Sequence, residues 1–193
     1  PARRNGAMAR HAGRRIRADA ERQPQTVDAL RALRLVARRS RLDRALCAKV
    51  RGSILLAGPL PARRGSATLY APGGDVIGRR RLDTHFEGLG ALGIGLAWTG
   101  DAFRLRRRKF RGAEILLDEA SVTDTENILR AATLAPGRTT ILNAACEPHV
   151  QDLGALLNHM SAKVSGLGTN RIEIAGVAKL GGARHRVAGR GRP

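Results

Sequence analysis

The chain has 193 residues and a formal net charge of +19 at pH 7, and 42% of its residues are hydrophobic but only 3% aromatic. This length fits one large domain or two small ones with an aliphatic core. The charge favours anionic partners, such as nucleic acid or phosphorylated small molecules, although arginines on solvated faces would explain it equally well. The two isolated cysteines argue against a disulfide framework. No apolar run reaches the roughly 18 residues that a membrane span requires.

The first 45 residues are densely basic and carry little apolar periodicity. We therefore expect 1–45 to be poorly ordered or weakly packed, apart from a helical recurrence between Val27 and Val36. The basic N-terminus has no apolar h-region, which argues against a secretory signal and favours a cytoplasmic location. We expect the folded part to span 46–188 and a short tail to follow at 189–193.

From Val50 onwards, apolar periodicity and turn signals predict the order helix, strand, helix, hairpin, strand, helix, strand, helix, hairpin. In the second half, Thr123-x-x-Glu126 matches a capping box and predicts a helix start. The predicted elements are an apolar stretch at 50–60, a strand at 67–70, a helix face from Leu82 to Leu92, a hairpin at 93–105, a strand at 113–117, a helix through 128–134, a strand at 139–143, a helix face from Leu153 to Met160, and a hairpin at 163–177.

The predicted order contains the same set of helices and strands twice. An offset of 68 residues moves the end of the first block's second helix, Leu92, onto Met160. The same offset moves the second strand of the first hairpin, 103–105, onto 171–173. The sequence therefore predicts a repeated βαβαββ-type unit of roughly 70 residues, although the first copy lacks a clear opening strand before Val50.

One loop, from Pro72 to His85, combines several features of an anion site. Its glycines permit unusual backbone conformations, and an acid, Asp75, lies in the middle. Three arginines, 79–81, follow at the start of a predicted helix, whose free N–H groups favour negative charge. These parts could hold a phosphate and present a proton donor to it. A surface turn with solvated arginines is an equally good interpretation of the residues alone.

Three stretches carry a more specific resemblance: RGSILLAGPLPAR from Arg51, PGGDVIGRRRLDTHFEGLGALG from Pro72, and the segment from Asp118 (DEASVTDTENILRAATLAPG) through Val177. In order and spacing they resemble the UDP-N-acetylglucosamine enolpyruvyl transferases, from about Cys47 to Val187. The resemblance implies an α/β fold in which repeated βαβαββ units form most of one lobe of an inside-out α/β barrel. It also implies transfer of enolpyruvate from phosphoenolpyruvate to the 3′-hydroxyl of UDP-N-acetylglucosamine in peptidoglycan synthesis.

The resemblance assigns expected roles to particular residues. Asp75 stands where the family places its loop general acid, usually a cysteine, and Arg51 matches a substrate-binding arginine. The remaining substrate-binding expectations are two segments that line the UDP-sugar site, namely Arg80, Arg81, Leu82, Asp83 and Thr84, and Glu119, Ala120, Ser121 and Val122. The resemblance also implies that Arg80 faces the phosphate of phosphoenolpyruvate. Glu119 departs from the lysine that is common at this position in the family.

The family's chemistry agrees with these residue types. Both substrates are polyanions, and the planar guanidinium group binds phosphate in a bidentate manner. Asp75 would need a raised pKa to act as an acid near neutrality, and it lacks the thiolate that fosfomycin alkylates. We therefore expect insensitivity to fosfomycin.

The resemblance implies two substrate partners, UDP-N-acetylglucosamine and phosphoenolpyruvate, and we expect no cofactor. The spacing of the cysteines and histidines argues against a metal site, and the lack of a long apolar run argues against a membrane span. The family's Lys-Asn motif does not occur in 1–50, and the second lobe would supply the general base, so we expect the chain to be inactive alone. The alternative is a non-catalytic remnant that binds anions or nucleic acid through its arginine clusters. The scarcity of aromatic residues argues against nucleic acid. The sequence does not predict the oligomeric state.

Overall fold

The computed structural model describes residues 40–73 and 81–187. The predicted helix at 27–36 and the loop residues 74–80 lie outside these ranges. In chain order the elements are helix α1 (Arg44–Lys49), a 3-10 helix (Arg51–Leu56), α2 (Pro59–Arg64), β1 (Ser66–Tyr70), α3 (Asp83–Ala91), β2 (Ile94–Thr99), β3 (Ala102–Arg107), β4 (Glu114–Leu116), α4 (Val122–Ala132), β5 (Arg138–Leu142), α5 (Pro148–His159), β6 (Lys163–Ser165) and β7 (Arg171–Ala175). The order predicted from Val50 onwards is confirmed.

The first unit contains an antiparallel sheet with the strand order β1-β3-β2. A parallel bridge joins Arg41 to Thr68 at the free edge of β1. Its hydrogen bonds run from Leu42 N to Thr68 O at 2.9 Å and from Thr68 N to Ser40 O at 2.6 Å. Residues 40–42 thus occupy the place of the opening strand that the sequence pattern did not reveal.

The second unit repeats this arrangement with a full opening strand. Its sheet has the order β4-β5-β7-β6, with β4 parallel to β5 and the other neighbours antiparallel. The bridge at Arg41 in the first unit corresponds to β4 here, since each lies parallel to the strand that follows the unit's first helical segment. The repeated βαβαββ unit is confirmed.

Backbone geometry supports the 68-residue offset. Gly93 and Ser161, which follow α3 and α5, have φ angles of 84° and 74°. In the two hairpins, Gly100 and Gly168 have φ angles of 63° and 83°. A positive φ is a special requirement that few residues meet, so its recurrence at both pairs of positions marks equivalent turns.

The core lies between the sheets and the helices and is largely aliphatic, as the composition predicted. Helix α4 contributes a nearly continuous buried surface, including Ile128, Leu129 and Ala132. Helix α3 approaches it closely at Gly88, where an added Cβ would lie 2.2 Å from Cδ1 of Ile128. The two helices are therefore in direct contact, and His85 near the start of α3 lies against Asp124 near the start of α4.

The predicted start of α4 requires a correction. The N-cap is Ser121 rather than Thr123, and its side chain accepts a hydrogen bond from Asp124 N at 3.5 Å. Thr123 already lies in the first helical turn, where its backbone cannot adopt the extended N-cap conformation. The extended backbone of Ser121, with φ −83° and ψ 126°, meets that requirement.

In the parts of the chain that the structure covers, no helix has the length and apolar character needed to cross a bilayer.

Candidate functional site

A polar cavity of about 380 Å³ opens where the 3-10 helix, the residues preceding α3 and the start of α4 meet. Its lining residues are Arg51, Gly52, Ile54, Arg81, His85, Glu119, Ser121 and Thr123. Four of these, Arg51, Arg81, Glu119 and Ser121, are residues for which the sequence predicted substrate binding. The fold therefore brings together segments that are about 70 residues apart in the chain.

The 3-10 helix that carries Arg51 is held by side chains of α4. Asn127 donates from Nδ2 to Ile54 O at 2.8 Å and accepts from Gly58 N at 3.1 Å through Oδ1. Arg130 donates to Leu55 O at 2.9 Å. A Cβ at Gly58 would lie 2.2 Å from Asn127 O, so only glycine permits this approach. These bonds fix the backbone that positions Arg51.

Arg81 bridges two acidic side chains at the cavity wall. It forms a bidentate contact with Asp83, at 2.8–3.1 Å, and an ion pair with Asp118. These hydrogen bonds raise the pKa of Arg81, and the bond from Arg81 lowers the pKa of Asp83. The two acids thereby fix the guanidinium group at the cavity wall.

Gly73 is also held by close backbone contacts. Gly73 N donates to Cys47 O at 2.9 Å. An added Cβ at Gly73 would lie 1.5 Å from Ala48 O, so this position requires glycine. Gly73 and Arg81 are therefore both fixed by their surroundings.

Behind the cavity lies a buried acid–base pair. His85 Nδ1 is 2.8 Å from Asp124 Oδ1, and the two side chains are only 3% and 2% exposed. His85 Nδ1 also lies 3.1 Å from Asn127 Nδ2. Burial acts to raise the pKa of Asp124, but its contact with His85 and the polar side chains nearby outweigh this effect and hold the pKa below its ordinary value. Asp124 is therefore a buried carboxylate paired with a residue that lines the cavity.

The remaining predicted residues have different surroundings. Thr84 is buried and lines a smaller neighbouring cavity of about 170 Å³, together with Asp118. Leu82 precedes α3 and is half-buried, whereas Asp83 is exposed and pairs with Arg81. Ala120 and Val122 flank Ser121 without lining either cavity. Asp75 and Arg80 lie outside the described residues, so their roles stay predictions.

Sequence reasoning missed Asp124 and Asn127. It placed His85 only at the end of the loop that begins at Pro72 and gave it no partner. An acid and an amide three residues apart at the start of a helix are a weak signal, because both residue types are common on solvated helix faces. Among residues 40–73 and 81–187, no group of three or more His, Cys, Asp or Glu side chains could hold a metal ion.

Comparison with solved structures defines the class of fold. The enolpyruvyl transferase NikO from Streptomyces tendae matches with a TM-score of 0.60 and 23% identity, over 72% of this chain and 33% of that one. EPSP synthase from Acinetobacter baumannii matches with a TM-score of 0.54 and 23% identity, over 71% and 31%. The fold is therefore that of the enolpyruvyl transferases, whose α/β architecture the sequence predicted.

The family model described as EPSP synthase (3-phosphoshikimate 1-carboxyvinyltransferase) matches residues 14–190. The chain belongs to this family. The match begins before Cys47, where the resemblance carried by the sequence motifs begins.

Curated relatives carry a more specific name. The chain is 55% identical over 148 residues to a UDP-N-acetylglucosamine 1-carboxyvinyltransferase from Treponema denticola, which covers 77% of this chain and 34% of that protein. Proteins of the same name from Treponema pallidum and Bradyrhizobium diazoefficiens are 58% identical over 71% of this chain and 54% identical over 76%. The chain spans about a third of the length of these relatives.

Proposed function

We propose that the chain carries part of the active site of a UDP-N-acetylglucosamine 1-carboxyvinyltransferase. This enzyme transfers enolpyruvate from phosphoenolpyruvate to the 3′-hydroxyl of UDP-N-acetylglucosamine and releases phosphate. The observation that carries the proposal is the cavity where Arg51, Arg81 and the Glu119–Ser121 segment converge. The names of relatives that share 54–58% identity with it support the same activity.

The charges around the cavity suit a nucleotide sugar. Arg51 and Arg81 each supply a planar group that can donate two hydrogen bonds to a diphosphate. The acids that hold Arg81, Asp83 and Asp118, orient its guanidinium group and partly neutralise it. Glu119 and Ser121 add acceptors that suit sugar hydroxyl groups.

Asp75 is the proposed general acid, and Arg80 is proposed to face the phosphate of phosphoenolpyruvate. Arg80 directly precedes Arg81, which lines the cavity. Protonation of the enol carbon requires an acid in reach of it, and an aspartate can serve if nearby anionic phosphate raises its pKa. Leu82, Thr84, Ala120 and Val122 are proposed to shape the UDP-sugar site around these charged groups.

Binding of the nucleotide sugar is the direct test. Calorimetric titration of the 193-residue chain with UDP-N-acetylglucosamine should detect a complex. Arg51→Ala should weaken it about tenfold or more, because a charged hydrogen bond contributes roughly 1.5–3 kcal/mol. Arg63→Ala is the matched control, since Arg63 is exposed on α2 and lies outside the cavity. Absence of binding by the unaltered chain would refute the proposal.

The nucleic-acid alternative makes a contrasting prediction. It requires affinity for RNA or single-stranded DNA that falls steeply with salt, together with no affinity for the UDP-sugar. A parallel titration with a single-stranded oligonucleotide at two salt concentrations therefore separates the two functions.

The proposed activity places the protein in the cytoplasm, in cell-wall synthesis, and predicts fosfomycin insensitivity. The test is covalent labelling. With UDP-N-acetylglucosamine present, fosfomycin should add no mass to the unaltered chain, whereas Asp75→Cys should acquire one adduct at position 75, located by peptide mass spectrometry. An Asp75→Cys variant that stays unlabelled would contradict the proposed alignment of Asp75 with the family's cysteine.

A further inference from the structure

The buried pair of His85 and Asp124 sets which ring nitrogen of His85 can meet a ligand. His85 lines the cavity together with Arg51 and Arg81, yet its side chain is only 3% exposed. Its Nδ1 is occupied by Asp124 Oδ1 at 2.8 Å. Nε2 is therefore the ring nitrogen that remains for a molecule in the cavity.

Two groups compete for Nδ1, and their chemistry decides the tautomer. A carboxylate can only accept, so Asp124 requires a proton on Nδ1. The amide nitrogen of Asn127, at 3.1 Å, would instead require a lone pair there. Asn127 already donates to Ile54 O at 2.8 Å and accepts from Gly58 N, so both of its polar atoms have backbone partners. The shorter and charged contact with Asp124 prevails.

We infer that Asp124 is a positioning residue that keeps the His85 proton on Nδ1 and presents Nε2 to the cavity as a hydrogen-bond acceptor. An acceptor at Nε2 would recognise a ligand that has an O–H or N–H donor, such as a sugar hydroxyl or an amide. The same ligand would carry anionic groups that bind Arg51 and Arg81. The inference deepens the proposed function, because it rests on a nucleotide sugar occupying this cavity.

Other features agree with this arrangement. The pKa of Asp124 is held below its ordinary value, so its carboxylate is charged at neutral pH. The ionisable groups that share the cavity wall are Arg51, Arg81 and Glu119. The two arginines supply donors for phosphate, so an acceptor at Nε2 adds a function that they cannot provide. A carboxylate that fixes the tautomer of a functional histidine is a general device in protein sites.

The test reads the tautomer directly. Nitrogen-15 NMR of the ring-labelled, ligand-free chain at neutral pH, with His85 assigned through His85→Gln, should show a protonated Nδ1 and an unprotonated Nε2. Asp124→Ala should lose this pattern, whereas Asp124→Asn, which retains an oxygen acceptor, should keep it. Asp101→Asn removes one carboxylate at an exposed hairpin pair with Arg44 and should leave the pattern unchanged.

Ligand binding completes the test. UDP-N-acetylglucosamine should shift the Nε2 resonance of His85, and Asp124→Ala should bind it about tenfold more weakly, the effect of one lost hydrogen bond. A wild-type spectrum with the proton on Nε2 would overturn the inference without any variant, even if Asp124→Ala fails to fold. If the chain shows the Nδ1–H form but binds no UDP-sugar, the proposed function fails while the assignment of Asp124 to the tautomer stands.

Discussion

Gly93 and Ser161 occupy equivalent positions 68 residues apart, and both have a positive φ, 84° and 74°. Each follows a helix and leads into a hairpin, but only one is glycine. A side chain in this left-handed region costs roughly 1–2 kcal/mol, so the second unit carries a strain that the first one avoids.

Ser161→Gly should relieve that strain. Because glycine also loses more conformational entropy on folding, we expect a net gain in the free energy of unfolding of about 0.5–1 kcal/mol. The midpoint temperature of thermal unfolding should then rise by roughly 1–4 °C for a chain of this size.

Gly93→Ser is the matched reverse substitution. A Cβ at Gly93 would lie 2.1 Å from Lys109 O, so this change should destabilise the protein by more than the first one stabilises it. If the two variants change the free energy of unfolding by equal and opposite amounts, the backbone angle φ alone sets the residue preference at these positions. The contact with Lys109 would then contribute nothing.

The 68-residue repeat could be predicted because spacing survives where residue identity does not. The opening strand at 40–42 could not, since it has only one apolar residue, Leu42, and pairs through a single bridge. The helix start was predicted at Thr123 instead of Ser121, because both are hydroxyl residues with an acidic side chain three positions later.

The candidate site was partly predictable for a related reason. Arg51 and Arg81 belong to contiguous motifs and could be placed from sequence. The pairing of His85 with Asp124 depends on how closely α3 and α4 pack at Gly88, which no local pattern records. Tertiary packing therefore supplied the part of the site that local reasoning left out.

Asn127→Ala should loosen the 3-10 helix. It removes the donor to Ile54 O and the acceptor for Gly58 N, and it leaves buried groups without partners, at a cost of about 2–4 kcal/mol. Amide hydrogen exchange should accelerate most in residues 51–64.

Asn158→Ala is a suitable comparison, because Asn158 also makes two backbone bonds, both to Val164, but is itself exposed. Its effect should be smaller and confined to the junction of α5 and β6. Slow exchange retained at 51–64 in Asn127→Ala would contradict the anchoring role.

Acid should destabilise the protein partly through Asp124. Its folded pKa lies below the ordinary 3.8, so its stabilising contribution is complete above that value and is lost as pH falls through the folded pKa. Denaturant unfolding between roughly pH 5 and pH 2 should therefore show a smaller loss of stability in Asp124→Asn than in the wild type. Asp101→Asn should keep the wild-type slope, because an exposed ion pair contributes little.

The two cysteines should differ sharply in reactivity. Cys47 is only 2% exposed, and burial raises the pKa of its thiol, whereas Cys146 is exposed. Since the thiolate is the reactive form, a thiol-specific disulfide reagent should modify Cys146 quickly and Cys47 only as the fold opens. Cys146→Ser should abolish the fast phase, and denaturant should restore rapid reaction at Cys47. Fast labelling of Cys47 in the native Cys146→Ser variant would contradict this prediction. It would mean that helix α1, which carries Cys47, opens readily.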